Sequence, residues 1–308
     1  MTLERSLRTR KEHRRGRGRS SGVCLRLCVV LGVILSPCFS LAESKFAPDR
    51  PRIVALVPPE EGFFEKELFC LGIPIKAPRV VVDEALFAAD GRLSMMLTNL
   101  PMVASNLVAA GVELHIIGRD QVTTDLPEWR QDKGKPLAEY NGLTRDQRTR
   151  GMGGRLTSCG EENLLKLPKD RYSGRDICVH EFSHGVRNYG IPSEVRDKFD
   201  QLYRRSLGKG LWKGAYAGSN PDEFFAELTM WYFGTHGDLH MGEPKPENGP
   251  EGLKKYDPDA FALFDDFYSG RIPIGRVEPR RRSHAQSRGR NYRNRLANAN
   301  GLSGHDSN

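Results

Sequence analysis

The stretch His180-Glu181-Phe182-Ser183-His184 is the most informative part of this 308-residue sequence. Residues four positions apart lie on one face of an α-helix, so His180 and His184 can direct two imidazole nitrogens at one metal ion. Glu181 projects about 100° further round the helix, where its carboxylate can take a proton from a water molecule. Two neutral nitrogen ligands beside a general base are the parts of a zinc hydrolase site. The pattern therefore predicts a catalytic metal centre.

The residues that flank this motif are apolar. Ile177, Cys178 and Val179 precede it, and Val186 follows it after one glycine. Such flanks predict a buried helix, which we place over residues 174–190. A buried helix must satisfy its polar side chains, and a metal ion is a suitable partner for them. The alternative is an exposed helix that carries two histidines and a glutamate.

A catalytic zinc site needs a third protein ligand. In the metzincin pattern, a glycine lies three residues after the second histidine, and the third ligand histidine lies three residues after that glycine. Arg187 and Gly190 occupy these two positions and exclude that class. Further along the chain, Glu223 and Glu227 lie four residues apart on a helix predicted over 220–233. This helix is otherwise apolar, and buried carboxylates are costly unless they are paired. The spacing therefore predicts Glu223 as the third ligand and Glu227 as the partner of a ligand histidine's second nitrogen.

Other assignments of these residues remain open. His236 and His240 are rival third ligands, although they lie in a glycine-containing stretch that would have to fold back. An amphipathic helix whose glutamates face water is the alternative for the second helix. Asn220 or Ser219 can cap that helix, with Pro221 at its first position.

The motif HEFSH, followed by Glu-Phe-Phe-Ala-Glu on a second helix, resembles the catalytic domain of anthrax lethal factor and its relatives among the gluzincin metallopeptidases. The resemblance covers residues 174–233 and implies zinc held by His180, His184 and Glu223, with Glu181 as general base. Tyr216 precedes Glu223 by seven residues, the spacing found in lethal factor. The implied role of Tyr216 is a phenolic hydrogen bond to the oxyanion as it forms. Packing within a loop is the alternative.

The N-terminal segment has the pattern of a secretory signal peptide. Residues 1–42 combine a basic start, an apolar run and small residues before a cleavage site at Glu43. The apolar run from Val23 to Leu35 is short and contains Arg26, so it does not suit a membrane span. We therefore predict a secreted, periplasmic or cell-envelope protein with no stable membrane span after cleavage. A retained anchor is the alternative.

The positive charge is concentrated at the two ends of the chain. Of the net +8, residues 1–42 hold +7 and residues 276–308 hold +6, which leaves −5 for residues 43–275. This mildly acidic middle argues against specific nucleic-acid binding. The C-terminal 276–308 segment almost lacks apolar residues, so it is predicted to be a basic disordered tail. Its partner would be an anionic polymer such as cell-wall polymer, unless the tail is dispensable.

Residues 43–275 are predicted to form a single domain. The expected fold class is α+β: a mainly helical, zincin-like metallopeptidase domain with a small sheet. The main predicted elements are strands over 53–57, before a Pro-Pro turn, and 112–117, with helices starting after the N-cap Asp83 and at Pro101. The polar stretch 119–157, with Gly151, Gly153 and Gly154, is predicted to be a surface loop that leads into the active site.

Two details next to the metal helix are also predicted. Ser158 and Glu161 fit a capping box, which makes capping or solvation the better interpretation of Glu161 and Glu162 than substrate contact. Three cysteines remain after signal removal, and a disulfide between Cys159 and Cys178 is the favoured pairing, with buried thiols as the alternative.

These features together predict a secreted zinc metallopeptidase that acts on a protein or peptide substrate. One alternative is a zinc amide hydrolase acting on the peptide cross-links of a cell wall. The other is a non-catalytic surface-binding protein that uses the basic tail.

Overall fold

The computed structural model describes residues 51–172, 174–237 and 245–278. The predicted signal peptide and the predicted tail beyond residue 278 lie outside the described residues. Within the described ranges, none of the helices combines the length and apolar character that a membrane crossing requires.

A five-stranded sheet lies on one side of the domain, with its strands in sequence order. The strands are β1 (Val54–Glu60), β2 (Phe64–Cys70), β3 (Ile73–Ala77), β4 (Glu113–Ile117) and β5 (Leu156–Gly160). The first three strands are antiparallel, whereas β4 pairs parallel with β3 and β5 pairs parallel with β4. Side chains alternate along each strand, so Ile75 and Leu114 enter the main core while Lys76 and His115 face the other side.

The described residues also form α-helices on both sides of β4 and β5 in the sequence. They are α1 (Asp83–Leu97), α2 (Pro101–Ala109), α3 (Arg145–Arg148), α4 (Glu161–Leu164), α5 (Ile177–Gly185), α6 (Ser193–Gly208), α7 (Pro221–Tyr232), α8 (Pro250–Tyr256) and α9 (Pro258–Tyr268). Helices α1 and α2 form the crossover that the parallel pairing of β3 with β4 requires. The domain is α+β, mainly helical with a small sheet, which confirms the predicted fold class.

Helices α5 and α7 pack against each other in the core, and α5 also packs against β5. Asp176 caps α5, because its side chain accepts a hydrogen bond from Val179 N at 3.1 Å. The α5 helix thus begins at Ile177 rather than at 174, and a π-turn, Val186–Gly190, continues it. Asn220 caps α7 by accepting hydrogen bonds from the backbone of Asp222 and Glu223. The caps set where each helix starts, and therefore which way its glutamates and histidines face.

Three local predictions are wrong. Strand β1 runs through Pro58 and Pro59, which were predicted to form a turn; prolines are tolerated there because β1 is an edge strand. The N-cap of α1 is Val82, and Asp83 is already in the helix. Ser158 caps no helix, because it lies in β5 and its backbone pairs with Met152.

The two glutamates after β5 have structural partners. The Glu161 carboxylate accepts hydrogen bonds from the backbone N–H groups of Val82 at 3.0 Å and Arg119 at 2.9 Å. Glu162 forms an ion pair with Arg150 at 2.7 Å. Both carboxylates therefore tie α4 to neighbouring loops, by contacts that differ from the predicted capping box.

The three described cysteines, Cys70, Cys159 and Cys178, are buried free thiols. Burial raises the pKa of Cys70 to about 12 and raises that of Cys159 well above its usual value. Thiols in such surroundings are poor nucleophiles. Of the two alternatives drawn from the sequence, the structure has buried thiols.

Candidate metal centre

Three side-chain atoms from α5 and α7 meet at one point of the core. His180 Nε2 and His184 Nε2 are 3.3 Å apart. Glu223 Oε2, from the first turn of α7, lies 3.2 Å from His180 Nε2 and 3.5 Å from His184 Nε2. The three atoms therefore form a nearly equilateral triangle.

The size of this triangle matches one face of a metal coordination tetrahedron. Bonds of about 2.0–2.1 Å from a zinc ion to its ligands place two corners of a tetrahedron about 3.3–3.4 Å apart. A triangle of hydrogen-bonded groups has no reason to be so regular, because each donor would point at only one acceptor. The spacing fits three ligands of one ion, with the fourth corner left for another group.

The hydrogen bonding of these residues supports the same interpretation. Among the described residues, Glu223 Oε2 is buried and has no hydrogen-bond partner, and neither has His184 Nδ1. A buried carboxylate oxygen without a donor is costly, on the order of 1–3 kcal/mol or more. A cation at the centre of the triangle would remove that cost for Glu223. The side chains present therefore fit a bound metal.

Glu181 lies beside the triangle. His180, Glu181 and His184 each offer a ligand atom within 4.8 Å of the others. Burial raises the pKa of Glu181, the electrostatic influence of His180 and His184 opposes this, and the nearby Glu223 adds to it. A carboxylate with a raised pKa is a better proton acceptor than an exposed one, as a general base requires.

The glycine-rich loop before β5 lies directly against this helix. A Cβ at Gly153 would be 2.6 Å from His184 Cδ2 and 3.0 Å from Glu181 Oε2. A Cβ at Gly151 would be 2.6 Å from Ile177 Cγ2. These positions accept only glycine without movement of their neighbours. The predicted loop thus reaches the HEFSH helix and forms part of the site.

Tyr216 forms another side of the site. It lies in the short turn Tyr216–Gly218, and its ring stacks against His180 with 6.2 Å between ring centroids. Tyr216 is 43% exposed as a whole, but removal of water from around its hydroxyl and the negative charges of Glu223 and Glu181 raise its pKa well above the usual value. The phenol therefore stays protonated and can donate a hydrogen bond.

Glu227 lies one turn after Glu223 on α7 and is completely buried. Its Oε1 is 3.0 Å from His180 Nδ1, although the N–H is not aligned with the oxygen for a hydrogen bond. Arg175 also contacts Oε1, at 2.5 Å. Burial raises the pKa of Glu227, but the close contacts with His180 and His236 and the positive charge of Arg175 outweigh it and lower that pKa to about 2.

The rival ligands are placed differently. His236 is completely buried and its Nε2 contacts Glu227 rather than the triangle, at 2.8 Å. His240 lies outside the described residues. Sequence reasoning missed Arg175, although its position just before the cap of α5 places it near any buried carboxylate on α7.

A second residue missed from the sequence is Arg148, at the end of α3. Its side chain is exposed, and its positive charge counteracts the raised pKa values of both Glu181 and Tyr216. Arg148 is therefore close enough for its charge to act on both Glu181 and Tyr216. No periodicity or motif marks this arginine within the polar loop, which explains why it was missed.

No protein-family model and no curated protein matches the chain. Among solved structures, the chain is similar to the PRO-PRO endopeptidase (PPEP-2) from Paenibacillus alvei, at 20% identity. The match covers 63% of this chain and 96% of that chain, with a TM-score of 0.47. That similar chain is a peptidase, but similarity at this level carries no argument about the chemistry of the present site.

Proposed function

We propose that the protein is a zinc-dependent metallopeptidase of the gluzincin type, with His180, His184 and Glu223 as the metal ligands. The observation that carries this proposal is the regular triangle of the three ligand atoms, in which Glu223 Oε2 has no hydrogen-bond donor among the residues that the structure describes. Two histidines and one carboxylate are a common donor set for catalytic zinc.

When bound, zinc would act as a Lewis acid and lower the pKa of water towards neutrality. The side chains supply the remaining chemistry. Glu181 takes a proton from the attacking water and returns it to the leaving nitrogen of the peptide bond. Tyr216 donates a hydrogen bond to the oxyanion of the tetrahedral intermediate. Their raised pKa values suit both roles, because Glu181 is a stronger base and Tyr216 keeps its proton.

The test combines metal analysis with cleavage of a peptide library by the purified protein. We expect bound zinc, and cleavage that a chelator abolishes and added zinc restores. Zinc without cleavage of any peptide would contradict the peptidase assignment, and turnover of cell-wall cross-links alone would favour the amide-hydrolase alternative. If the protein neither binds zinc nor cleaves either substrate, the surface-binding alternative remains.

We also propose that the protein is exported, with residues 1–42 removed as a signal peptide. This rests on the sequence pattern of that segment. N-terminal sequencing of the mature protein should begin at Glu43, whereas a chain that keeps Met1 would contradict export by cleavage. Binding of the 276–308 tail to anionic polymers is a further prediction, which a pull-down with and without the tail would test.

A further inference from the structure

His236 is a completely buried histidine that the proposed chemistry does not use. Its ring lies flat on Trp231, with 3.6 Å between ring centroids and 13° between ring planes. Its Nε2 contacts Glu227 Oε2 at 2.8 Å. The histidine is therefore held by stacking on one side and directed at a single carboxylate oxygen.

The chain folds back to bring His236 to this position. After α7, Thr235 O accepts a hydrogen bond from Asp176 N at 3.0 Å, which fastens this segment to the start of α5. Gly237 has φ +69° and approaches Gly174 so closely that a Cβ there would lie 2.1 Å from Gly174 O. This close crossing places His236 beside Glu227.

Three nitrogen groups surround the Glu227 carboxylate. Oε1 contacts Arg175 and lies 3.0 Å from His180 Nδ1, while His236 is the one donor to Oε2 among the described residues. A buried carboxylate needs several donors, and Arg175 also balances its charge. Without His236, Oε2 would have no donor, and the carboxylate could rotate away from His180.

We propose that His236 and Arg175 are positioning residues of the metal centre, which act by holding Glu227 against His180. Glu227 then fixes the ring of His180 with Nε2 towards the ion. Groups that orient a ligand histidine in this way typically contribute about 10–100-fold to metal affinity. This inference rests on the proposed zinc site, and it adds residues that do not themselves touch the ion.

The test measures zinc affinity of the full chain by competition with a chelator. His236→Phe keeps an aromatic ring on Trp231 but removes the donor to Glu227, whereas His236→Gln keeps an N–H donor and removes the aromatic ring. We expect His236→Phe to weaken zinc binding by about 10–100-fold, and His236→Gln to remain closer to wild type. The cobalt-substituted His236→Phe variant should also show an altered visible spectrum, because the ligand field changes when His180 turns.

Arg175 provides a second route, because its side chain is partly exposed and tolerates substitution better than a fully buried one. Arg175→Met should weaken zinc binding and Arg175→Lys should restore part of it, with the thermal stability of the metal-free forms compared alongside. If the wild type binds zinc and both His236→Phe and Arg175→Met bind it equally well, the inference is wrong while the proposed function stands. If the wild type binds no zinc, the proposed function itself is wrong.

Discussion

Two clusters in this domain join a buried histidine to glutamates, yet their polar atoms are satisfied in opposite ways. The sheet cluster lies on the face of the sheet away from the main core and consists of Glu60, Lys76, Glu113, His115 and Glu128. There, His115 contacts Glu128 at 2.7 Å and Glu113 at 3.1 Å. Lys76 contacts both Glu60 and Glu113 at 2.8 Å. Each charge in the sheet cluster thus has a protein partner.

In the metal centre, by contrast, the ligand atoms converge, and no donor within the described part of the chain is aligned with Glu223 Oε2. Residue type alone does not separate the two clusters, since both join a buried histidine to carboxylates. What separates them is the completeness of hydrogen bonding. A cluster whose charges are all paired stabilises the fold, and a cluster with converging unpaired atoms is prepared for a ligand.

The strongest test of this contrast concerns Glu181. Glu181→Gln should lower the rate of peptide cleavage by about 10²–10⁴-fold, because the amide cannot accept the proton. The zinc content should stay unchanged, because Glu181 lies beside the three proposed ligands and is not itself one of them. The exposed Glu194 on α6 provides the matched control, and Glu194→Gln should cleave like wild type. Full activity of the Glu181→Gln variant would show that Glu181 is not the general base.

The next effect concerns the third ligand. Glu223→Gln should weaken zinc binding by more than the roughly 10–100-fold typical of losing a partner of a ligand. Asp222→Asn is the control, because Asp222 is a carboxylate on the same turn but pairs with Arg187 at 2.9 Å. Chelator competition measures both. Equal affinity in the two variants would show that Glu223 does not bind the ion.

A smaller effect is expected in the sheet cluster. His115→Leu removes the donor to Glu128 and leaves that buried carboxylate short of a partner, which costs about 1–3 kcal/mol of unfolding free energy. Zinc affinity and cleavage should not change. Urea unfolding beside the zinc assay tests both statements, and lost zinc binding in a folded His115→Leu protein would show that the two clusters are not independent.

The smallest expected effect is a pH dependence of the stability that the sheet cluster contributes. Burial opposes protonation of His115, but the hydrogen bonds that it donates to Glu113 and Glu128 outweigh burial and raise its pKa. Its stabilising contribution is therefore complete below about pH 6.5 and is lost as the pH rises through the raised value. The hydrogen bond from His115 lowers the pKa of Glu113 from 4.5 to about 2, burial opposes this, and Lys76 assists. That contribution is present above pH 4.5 and is lost as the pH falls towards 2.

The stability difference between wild type and His115→Gln should therefore be largest between about pH 4.5 and 6.5. Urea midpoints at about pH 3, 5.5 and 8.5 would measure it. A difference that grows steadily from pH 5.5 to 8.5 would mean that His115 is stabilising in its neutral form, contrary to this account.

The sequence predicted which candidate ligand residues share a helix face, because that information is local. His180 and His184 are one turn apart, as are Glu223 and Glu227, so helical geometry alone places each pair on one face. The role of His236 depends instead on the chain returning across α5, and nothing in its own neighbourhood indicates that path. It was accordingly weighed as a rival ligand.

The fold class was predictable for a similar reason, while the strand count was not. The β2–β3 hairpin escaped prediction because charged residues interrupt β2. Lys66 forms an ion pair with Asp83 at 2.6 Å, and Glu67 lies opposite Lys76 in the register of the β2–β3 hairpin. These compensations come from distant parts of the chain, and a local pattern cannot show them.

We propose that the three converging atoms, His180 Nε2, His184 Nε2 and Glu223 Oε2, are the protein ligands of a zinc ion. X-ray absorption spectroscopy of the zinc-loaded protein tests this most directly, because it counts imidazoles and distinguishes oxygen from sulfur. We expect two imidazole nitrogens and carboxylate oxygen at about 2.0–2.2 Å from the zinc ion, and no sulfur. A third imidazole would assign the ligand to His236 or His240 in place of Glu223, and would contradict the account.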